Sequence, residues 1–271
     1  MKGSDKPPFF YINDMVEKFG PRPMSHEDRM TLAHEIAKRF REHFAADVLA
    51  IGLYGSLARG TDAAYSDIEM YCVVKGSEID TPYEWSAGKW KAEVDVQSAD
   101  VLLAWASELD ETWPLTHGSC VDLLPLYDPG NFFSQLKDRV FDHSEGEFET
   151  LIKDVIVGEL YEFVGKIRNT VATGNTSSLP MQVVNLTKFG AYLIGLANRS
   201  LYTSSSDILP ESLLLPNRPA GYDALCEMVM RGELNDSLRV EQLADGFWAG
   251  IESWAQTRGL KIHAQLDDLL K

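Results

Sequence analysis

The feature that most constrains the fold of this chain is an apolar run that ends in Gly-Ser and is followed by a second run opening with two acids. Residues 48–54 (VLAIGLY) lead into Gly55-Ser56, and Asp67 and Glu69 flank Ile68 at the start of the second run. Alternation along a strand predicts that the two acids share one face while Ile68 points into the core. Such a pair can hold Mg²⁺, which prefers oxygen ligands and retains waters and phosphate oxygens.

Two further features extend this pattern. The Gly55-Ser56 turn between a strand and a helix offers amide groups and a hydroxyl that can cradle phosphates. In the run 91–96 (KAEVDV), alternation places Lys91, Glu93 and Asp95 on one face. Either acid could complete a two-metal set, with ions ~3.5–4 Å apart that clamp the attacking and leaving oxygens. Periodicity does not choose between the two acids, and Lys91 could balance phosphate charge.

The chain changes character near residue 144. Before it, a capping box at Ser25 predicts a helix over about 26–44. Further patterns in this part predict strands over 48–54, 68–74, 91–96 and 120–127, and a helix over 100–109. After it, helical spacing predicts helices over 148–167, 179–199, 221–231 and 237–258.

We therefore predict an α+β fold with an N-terminal mixed β-sheet domain (1–144) and a C-terminal helical bundle (145–271). The N-terminal domain includes a Pro-rich extension, residues 1–24, to which the sequence gives no role.

Charge narrows the function classes. The net charge is −16, and the sequence has no basic stripe of the kind that binds nucleic-acid phosphates. An acidic protein attracts cationic ligands instead. No apolar run approaches the roughly 20 residues that span a bilayer. Cys72, Cys120 and Cys226 lack metal-ligand spacing, which is typical of reduced core thiols. We expect a cytoplasmic protein that binds neither nucleic acid nor membrane.

The combination of strand, Gly-Ser turn, short helix and acids on two further strands is typical of the polymerase-β-like nucleotidyltransferase superfamily. From about residue 25 to about residue 259, the chain resembles the kanamycin (aminoglycoside 4′-) nucleotidyltransferases in particular. The segments that carry this resemblance are Ala50–Arg59, Tyr65–Met70, Glu84-Trp85, Trp90-Lys91, Trp113–Gly118, Glu159–Glu162, Gly165-Lys166 and Gly221–Asp223.

The resemblance implies an enzyme that moves AMP from Mg-ATP to an aminoglycoside hydroxyl, with Mg²⁺ as cofactor. It also implies a homodimer whose two active sites lie between subunits, and antibiotic resistance as the outcome. Carried over by position, it assigns Asp67, Glu69 and Glu93 to the metal, Ser56, Arg59, Ser66 and Lys166 to the nucleotide phosphates, Glu162 to the general base and Glu84 to the antibiotic. The choice between Glu93 and Asp95 is thereby made in favour of Glu93.

The predicted helix 148–167 allows an independent check, because Glu159, Glu162 and Lys166 fall on one face of an ideal α-helix. The kanamycin enzyme of the family has a further acid one turn before the base, where this chain has Gly158. Glu159 is then the nearest acid for the acceptor, although it points about 100° away in an ideal helix. We expect a substrate profile shifted by this difference.

Two alternatives remain. Another enzyme of the superfamily, which adenylylates a protein or a different small molecule, would share Asp67, Glu69 and Glu93. The segments 113–118 and 159–166 favour the antibiotic instead. A catalytically silent scaffold could have lost its metal acids, and the presence of all three in this chain argues against it.

Overall fold

The structure is a computed structural model that describes residues 20–270. Most of the predicted extension, residues 1–19, lies outside the described residues. In the described chain, five strands form one sheet in the order β3-β4-β2-β1-β5. The strands are β1 Val48–Tyr54, β2 Ile68–Val74, β3 Asp80–Ser86, β4 Lys91–Ser98 and β5 Leu124–Tyr127. β2 and β4 are parallel and the other pairs are antiparallel, which confirms the predicted mixed sheet.

One face of the sheet is covered by the first helix, α1 (His26–Phe44). This helix begins where the capping motif predicts, since the amide of Asp28 donates to Ser25 Oγ over 3.1 Å. Ala33 and Ile36 of the helix pack in one buried cluster with residues that alternate along the central strands. The apolar face of α1 and the inward positions of β1, β2 and β4 therefore form the first core.

The opposite face of the sheet joins a larger core that the helices share. Alternate sheet residues such as Ala50, Tyr71 and Val73 belong to the same buried cluster as Leu136, Leu186 and Phe247. The helices beyond α1 are α2 Gly55–Arg59, α3 Ala99–Ala106, α4 Trp113–Thr116, α5 Phe132–Val140, α6 Glu145–Asp154, α7 Tyr161–Thr173, α8 Leu179–Asn198, α9 Ile208–Ser212, α10 Tyr222–Arg231, α11 Ser237–Thr257 and α12 Leu266–Leu269. The helical C-terminal part is thus confirmed. Among the described residues, no helix is both long and apolar enough to cross a membrane.

Several elements of the N-terminal half differ from the prediction. β3 was not predicted because its seven residues are almost all exposed, and this edge strand offers only Tyr83 and Trp85 as alternating apolar residues. The strand predicted over 120–127 is wrong in its first half, since β5 begins only at Leu124. A 3₁₀ turn, His117–Cys120, precedes it and buries both of its end residues. Apolar residues that are buried in a turn give the same sequence pattern as a buried strand. Helix α5 also lacked a prediction.

The continuous helix predicted over 148–167 is wrong in one respect. α6 runs into a π-helical segment, Val155–Leu160, before α7 begins. A π turn is wider than an α turn and shifts the helical phase. Glu162 and Lys166 both lie within α7 and keep the spacing of an ideal α-helix. Glu159 lies in the π segment, so the prediction that it shares their face does not hold from α-helical spacing.

Candidate active site

Three glutamates form a row across the sheet because of the strand register. Glu69 on β2 pairs with Glu93 on β4, and Glu93 pairs in turn with Glu84 on β3. On the other side of Glu69, the register places Tyr54 at the end of β1. Paired residues of neighbouring strands point to the same face. Asp67 precedes β2 in an i, i+2 relation to Glu69, so the sheet brings Asp67 to the same corner as the three glutamates.

The electrostatics of the row reflect this crowding. Burial, together with the charges of Asp67 and Glu93, raises the pKa of Glu69 to about 7, although Arg59 and Lys91 oppose the shift. Burial and the neighbouring Asp95 also raise the pKa of Glu93. Like charges held together in a partly desolvated site disfavour full ionisation. The corner is therefore a place where an added cation would be stabilised.

Lys91 forms ion pairs with two acids of this corner, Glu84 and Asp67. Its Nζ lies 2.7 Å from Glu84 Oε1 and 3.7 Å from Asp67 Oδ2. The hydrogen bond to Glu84 raises the pKa of the lysine, and the charges of Glu84 and Asp67 add to the shift. The ammonium thus stays charged between two acids, as a group that balances the charge of phosphates must.

Asp95, the other acid on this face of β4, has a different environment. The hydroxyl of Tyr54 donates to Asp95 Oδ2 over 3.2 Å. Burial raises the pKa of Asp95, and the bond from Tyr54 works against the shift. Asp95 therefore has a protein partner, and Glu93 is the acid aligned with Glu69 across the sheet.

The predicted Gly-Ser turn lies directly beside Glu69. Gly55 begins α2 with φ +72°, a conformation that glycine adopts readily. A Cβ at this position would overlap Glu69 Oε2. Further along α2, Arg59 lies 3.9 Å from Asp122 Oδ2, and its buried Nε has no hydrogen-bond partner. The turn therefore holds the Glu69 carboxylate on one side and presents a cation on the other.

A cavity of about 500 Å³ opens beside this turn, between the sheet and the helical part. The groups that line it come from four places, namely the turn (Gly55, Ser56, Arg59), the sheet (Tyr54, Glu69, Tyr71, Asp95), the segment 105–119 (Trp105, Leu115, Thr116, Gly118, Ser119) and the loop after α8 (Thr203, Ser204, Ser205). Trp105 and the hydroxyl-rich loop were missed by the sequence reasoning. The polar run 203–206 signals only a loop, and nothing local places it against the sheet.

Ser66 lies on the other side of Asp67. It accepts a hydrogen bond from the amide of Ala63 over 3.0 Å, which fixes the loop before β2. Ser66, Asp67 and Lys91 line a second, smaller cavity of about 210 Å³. Asp67 therefore lines the smaller cavity with Ser66, whereas Ser56 and Arg59 line the larger one with Glu69.

Glu162 and Lys166 lie apart from this corner. Lys166 Nζ is 2.5 Å from Glu162 Oε1 on the exposed surface of α7, and α7 packs against α8 and α11. Neither side chain lines the two cavities beside Asp67. Within the described part of one chain, the predicted base and the predicted metal acids are therefore not brought together.

Comparison with known proteins identifies the family of the chain. A family model described as the KNTase C-terminal domain matches residues 130–261. Aminoglycoside nucleotidyltransferases (4′) from a Bacillus species and from Staphylococcus aureus are each 42% identical to the chain over 240 residues, covering 89% of it and 95% of the relative. The chain belongs to the aminoglycoside nucleotidyltransferase family. The resemblance predicted from the motifs is thus confirmed, and family membership makes the chain an enzyme of the transferase class.

A solved structure supports the fold of this aminoglycoside nucleotidyltransferase family member. A nucleotidyltransferase-like protein from Exiguobacterium sibiricum superposes with a TM-score of 0.50 at 12% identity, covering 83% of this chain and 75% of that one. At such low identity the likeness concerns the fold alone. It agrees with the predicted α+β class.

Proposed function

We propose that the chain transfers AMP from Mg-ATP to the 4′-hydroxyl of kanamycin-type aminoglycosides, which inactivates the antibiotic. One observation carries the proposal. The acids Asp67, Glu69 and Glu93 cluster beside the Gly55-Ser56 turn in a chain that is 42% identical to enzymes named for this acceptor. The chemistry takes place on the open corner of the sheet.

The residues at the corner fit a magnesium ion. Their donors are carboxylates that repel one another, and burial together with this repulsion raises the pKa of Glu69 to about 7. In the described chain, no group of three or more His, Cys, Asp or Glu side chains is placed to hold a metal ion by itself. That is compatible with Mg²⁺, which takes one or two carboxylates and completes its shell with waters and phosphates. Asp67, Glu69 and Glu93 would supply these carboxylates together with the phosphate oxygens of the donor, and the ion when bound would neutralise the triphosphate.

The chain's own residues supply the remaining steps. Ser56, Arg59, Ser66 and Lys91 would hold the phosphates with the α-phosphorus facing the acceptor. The antibiotic hydroxyl oxygen forms a bond to that phosphorus as the bond to the pyrophosphate oxygen breaks, and Glu162 takes the hydroxyl proton. Lys166, 2.5 Å from Glu162 in the free chain, would offset charge on the phosphates. Positioning and charge neutralisation dominate such transfers.

The distance between the two halves of the machinery favours a homodimer. Glu162 and Lys166 lie on an exposed face of α7, away from Asp67 in the same chain. A two-fold dimer can place this face against the partner's sheet corner and so complete two equivalent sites. Two exposed apolar residues, Val157 in the adjoining π segment and Tyr161 at the start of α7, suit such a contact.

Acids would then surround the acceptor. Glu84 ends the row on the sheet, and Glu159 precedes the base. The ammonium groups of the antibiotic are attracted to such a cleft, and the net charge of −16 adds to the effect. We further propose a boundary near residue 144 between a donor-binding domain and the helical domain that supplies the base, and a cytoplasmic location, where ATP is available.

The proposal is tested by mixing the pure protein with Mg-ATP and kanamycin and measuring the antibiotic by mass spectrometry. A product that carries one added AMP and disappears with EDTA is the expected result. NMR of the product would show the modified hydroxyl. No product with kanamycin, tobramycin, amikacin or neomycin would contradict the proposal and favour the adenylylation of another acceptor.

Gly55→Ala provides a test of the site geometry. Alanine at φ +72° costs about 1–2 kcal/mol of stability, and its Cβ would also displace the Glu69 carboxylate. We expect a loss of turnover on the order of 10²-fold, since small displacements of catalytic groups have effects of that size.

Gly60→Ala is the matched control. Gly60 has nearly the same φ, +67°, and a Cβ there meets nothing within 4 Å. Both variants should lose similar thermal stability, and only Gly55→Ala should lose turnover. Equal turnover in the two variants would show that Gly55 does not position Glu69.

A further inference from the structure

Trp105 forms one wall of the larger cavity, and the proposed reaction gives it no role. The side chain is half-buried and lines the cavity together with Ser56 and Arg59. Its rings stack on the imidazole of His117 with centroids 4.8 Å apart and planes 18° from parallel. His117 covers one face of the indole, and the part of the side chain that lines the cavity is accessible to a ligand there.

His117 holds the indole in place. The imidazole is buried, at 1% exposure, and its Nε2 lies 3.1 Å from the carbonyl oxygen of Trp105. Burial lowers the pKa of His117, so the ring is neutral and has one N–H, which this carbonyl accepts. Trp113 packs near the imidazole as well, with centroids 6.2 Å apart. The indole is thus fixed before any ligand binds, which lowers the entropy cost of binding.

The surroundings indicate which part of which substrate meets this surface. The cavity is continuous from Trp105 to Ser56 and Arg59, where the proposed function places phosphates. The buried Nε of Arg59, which has no hydrogen-bond partner, suits the anionic donor better than the polycationic acceptor. A flat heteroaromatic ring stacks on an indole face, and the hydroxyls of Thr116 and Ser119 lie on the same wall.

We propose that Trp105 stacks on the base of the nucleotide donor, with His117 as the positioning residue behind it. The inference rests on the proposed function, because it takes the phosphate end of the cavity as given. A stacking contact covers the face of a base, which all bases have, and makes no hydrogen bonds to the edge, where bases differ. Affinity from this contact should therefore depend on the presence of a base more than on its identity.

The test compares two probes that share the triphosphate. Mg-ATP and Mg-tripolyphosphate, which lacks base and ribose, are titrated by calorimetry into the full-length protein and its variants. Trp105→Ala is expected to weaken ATP binding at least about 10-fold and to leave tripolyphosphate binding nearly unchanged. Trp105→Phe, which keeps an aromatic ring, should lose much less. His117→Ala should also weaken ATP selectively, because the indole loses its backing.

Trp254→Phe is the control. Trp254 lies on α11, outside the cavity, and donates to Asn217 Oδ1 over 2.9 Å. Unchanged binding of both probes by this variant would show that loss of a tryptophan alone has no effect.

Four outcomes would overturn the inference. Unchanged ATP affinity in Trp105→Ala, or an equal loss for both probes, would exclude a base contact. If kanamycin, titrated in parallel, lost affinity for Trp105→Ala while Mg-ATP did not, the wall would belong to the acceptor. A wild-type protein that binds neither probe would refute the proposed function, and the base contact with it.

Discussion

Asp67→Asn is expected to lower turnover at least about 10³-fold, because metal-ion stabilisation of such a transition state contributes several kcal/mol. The substitution keeps the shape of the side chain and removes a charge from the acidic row. The fold should survive, since Asp67 is partly exposed and its close ion-pair partner, Lys91, retains Glu84 at 2.7 Å. Steady-state turnover at saturating Mg-ATP, together with a thermal melt, measures both effects.

The control for this variant is Asp47→Asn. Asp47 is an exposed acid immediately before β1, in the 3₁₀ turn Ala45–Asp47 away from the corner. Asp47→Asn changes the net charge by the same amount as Asp67→Asn, so any general electrostatic effect on the attraction of the antibiotic would appear in both variants. Near-normal turnover in Asp67→Asn would end the argument for a cation site at this corner.

Glu162→Gln is expected to lower kcat by about 10²–10⁴-fold, which is the usual contribution of a general base. Glutamine keeps the shape of the side chain and cannot take the hydroxyl proton. Antibiotic affinity should change little, because other acids still attract the ammonium groups. Turnover and equilibrium binding of kanamycin, measured on the same preparation, separate the two effects. Loss of affinity alone, with kcat preserved, would remove Glu162 from the role of base.

Glu227→Gln is the matched control for the loss of an exposed i, i+4 ion pair. Glu227 pairs with Arg231 on α10 over 3.3 Å, much as Glu162 pairs with Lys166 on α7. A mixture of the two inactive variants adds a further check. If each site takes Glu162 from one protomer and Asp67 from the other, dimers reassembled from Asp67→Asn and Glu162→Gln should regain about a quarter of wild-type activity.

The predictable part of the fold was the part with short-range signals. Apolar runs and alternation gave β1, β2 and β4, and the cap at Ser25 gave the start of α1. The edge strand β3 was missed because its alternation is limited to Tyr83 and Trp85, and the π segment was missed because no sequence period distinguishes it from an α-helix. Both depend on what packs around them.

The candidate site likewise has residues that the sequence predicts and residues that only the structure identifies. The motif identified Asp67 and Glu69, but alternation alone could not separate Glu93 from Asp95, since both lie on one face of β4. The register with β2, and the bond from Tyr54 to Asp95, distinguish them in the structure. Trp105 was not predicted for a related reason. Its importance comes from a cavity whose walls are about a hundred residues apart along the chain.

The separation of Glu162 from Asp67 within one chain has a consequence for how much protein a cell needs. Under the proposed arrangement, a lone protomer carries two half-sites and no competent one. When most protomers are dissociated, the number of working sites follows the square of the protomer concentration, by mass action. Protection against an antibiotic would then rise steeply with gene dosage. Weak expression would give almost no resistance, whereas a modest increase in gene copy number would give full resistance.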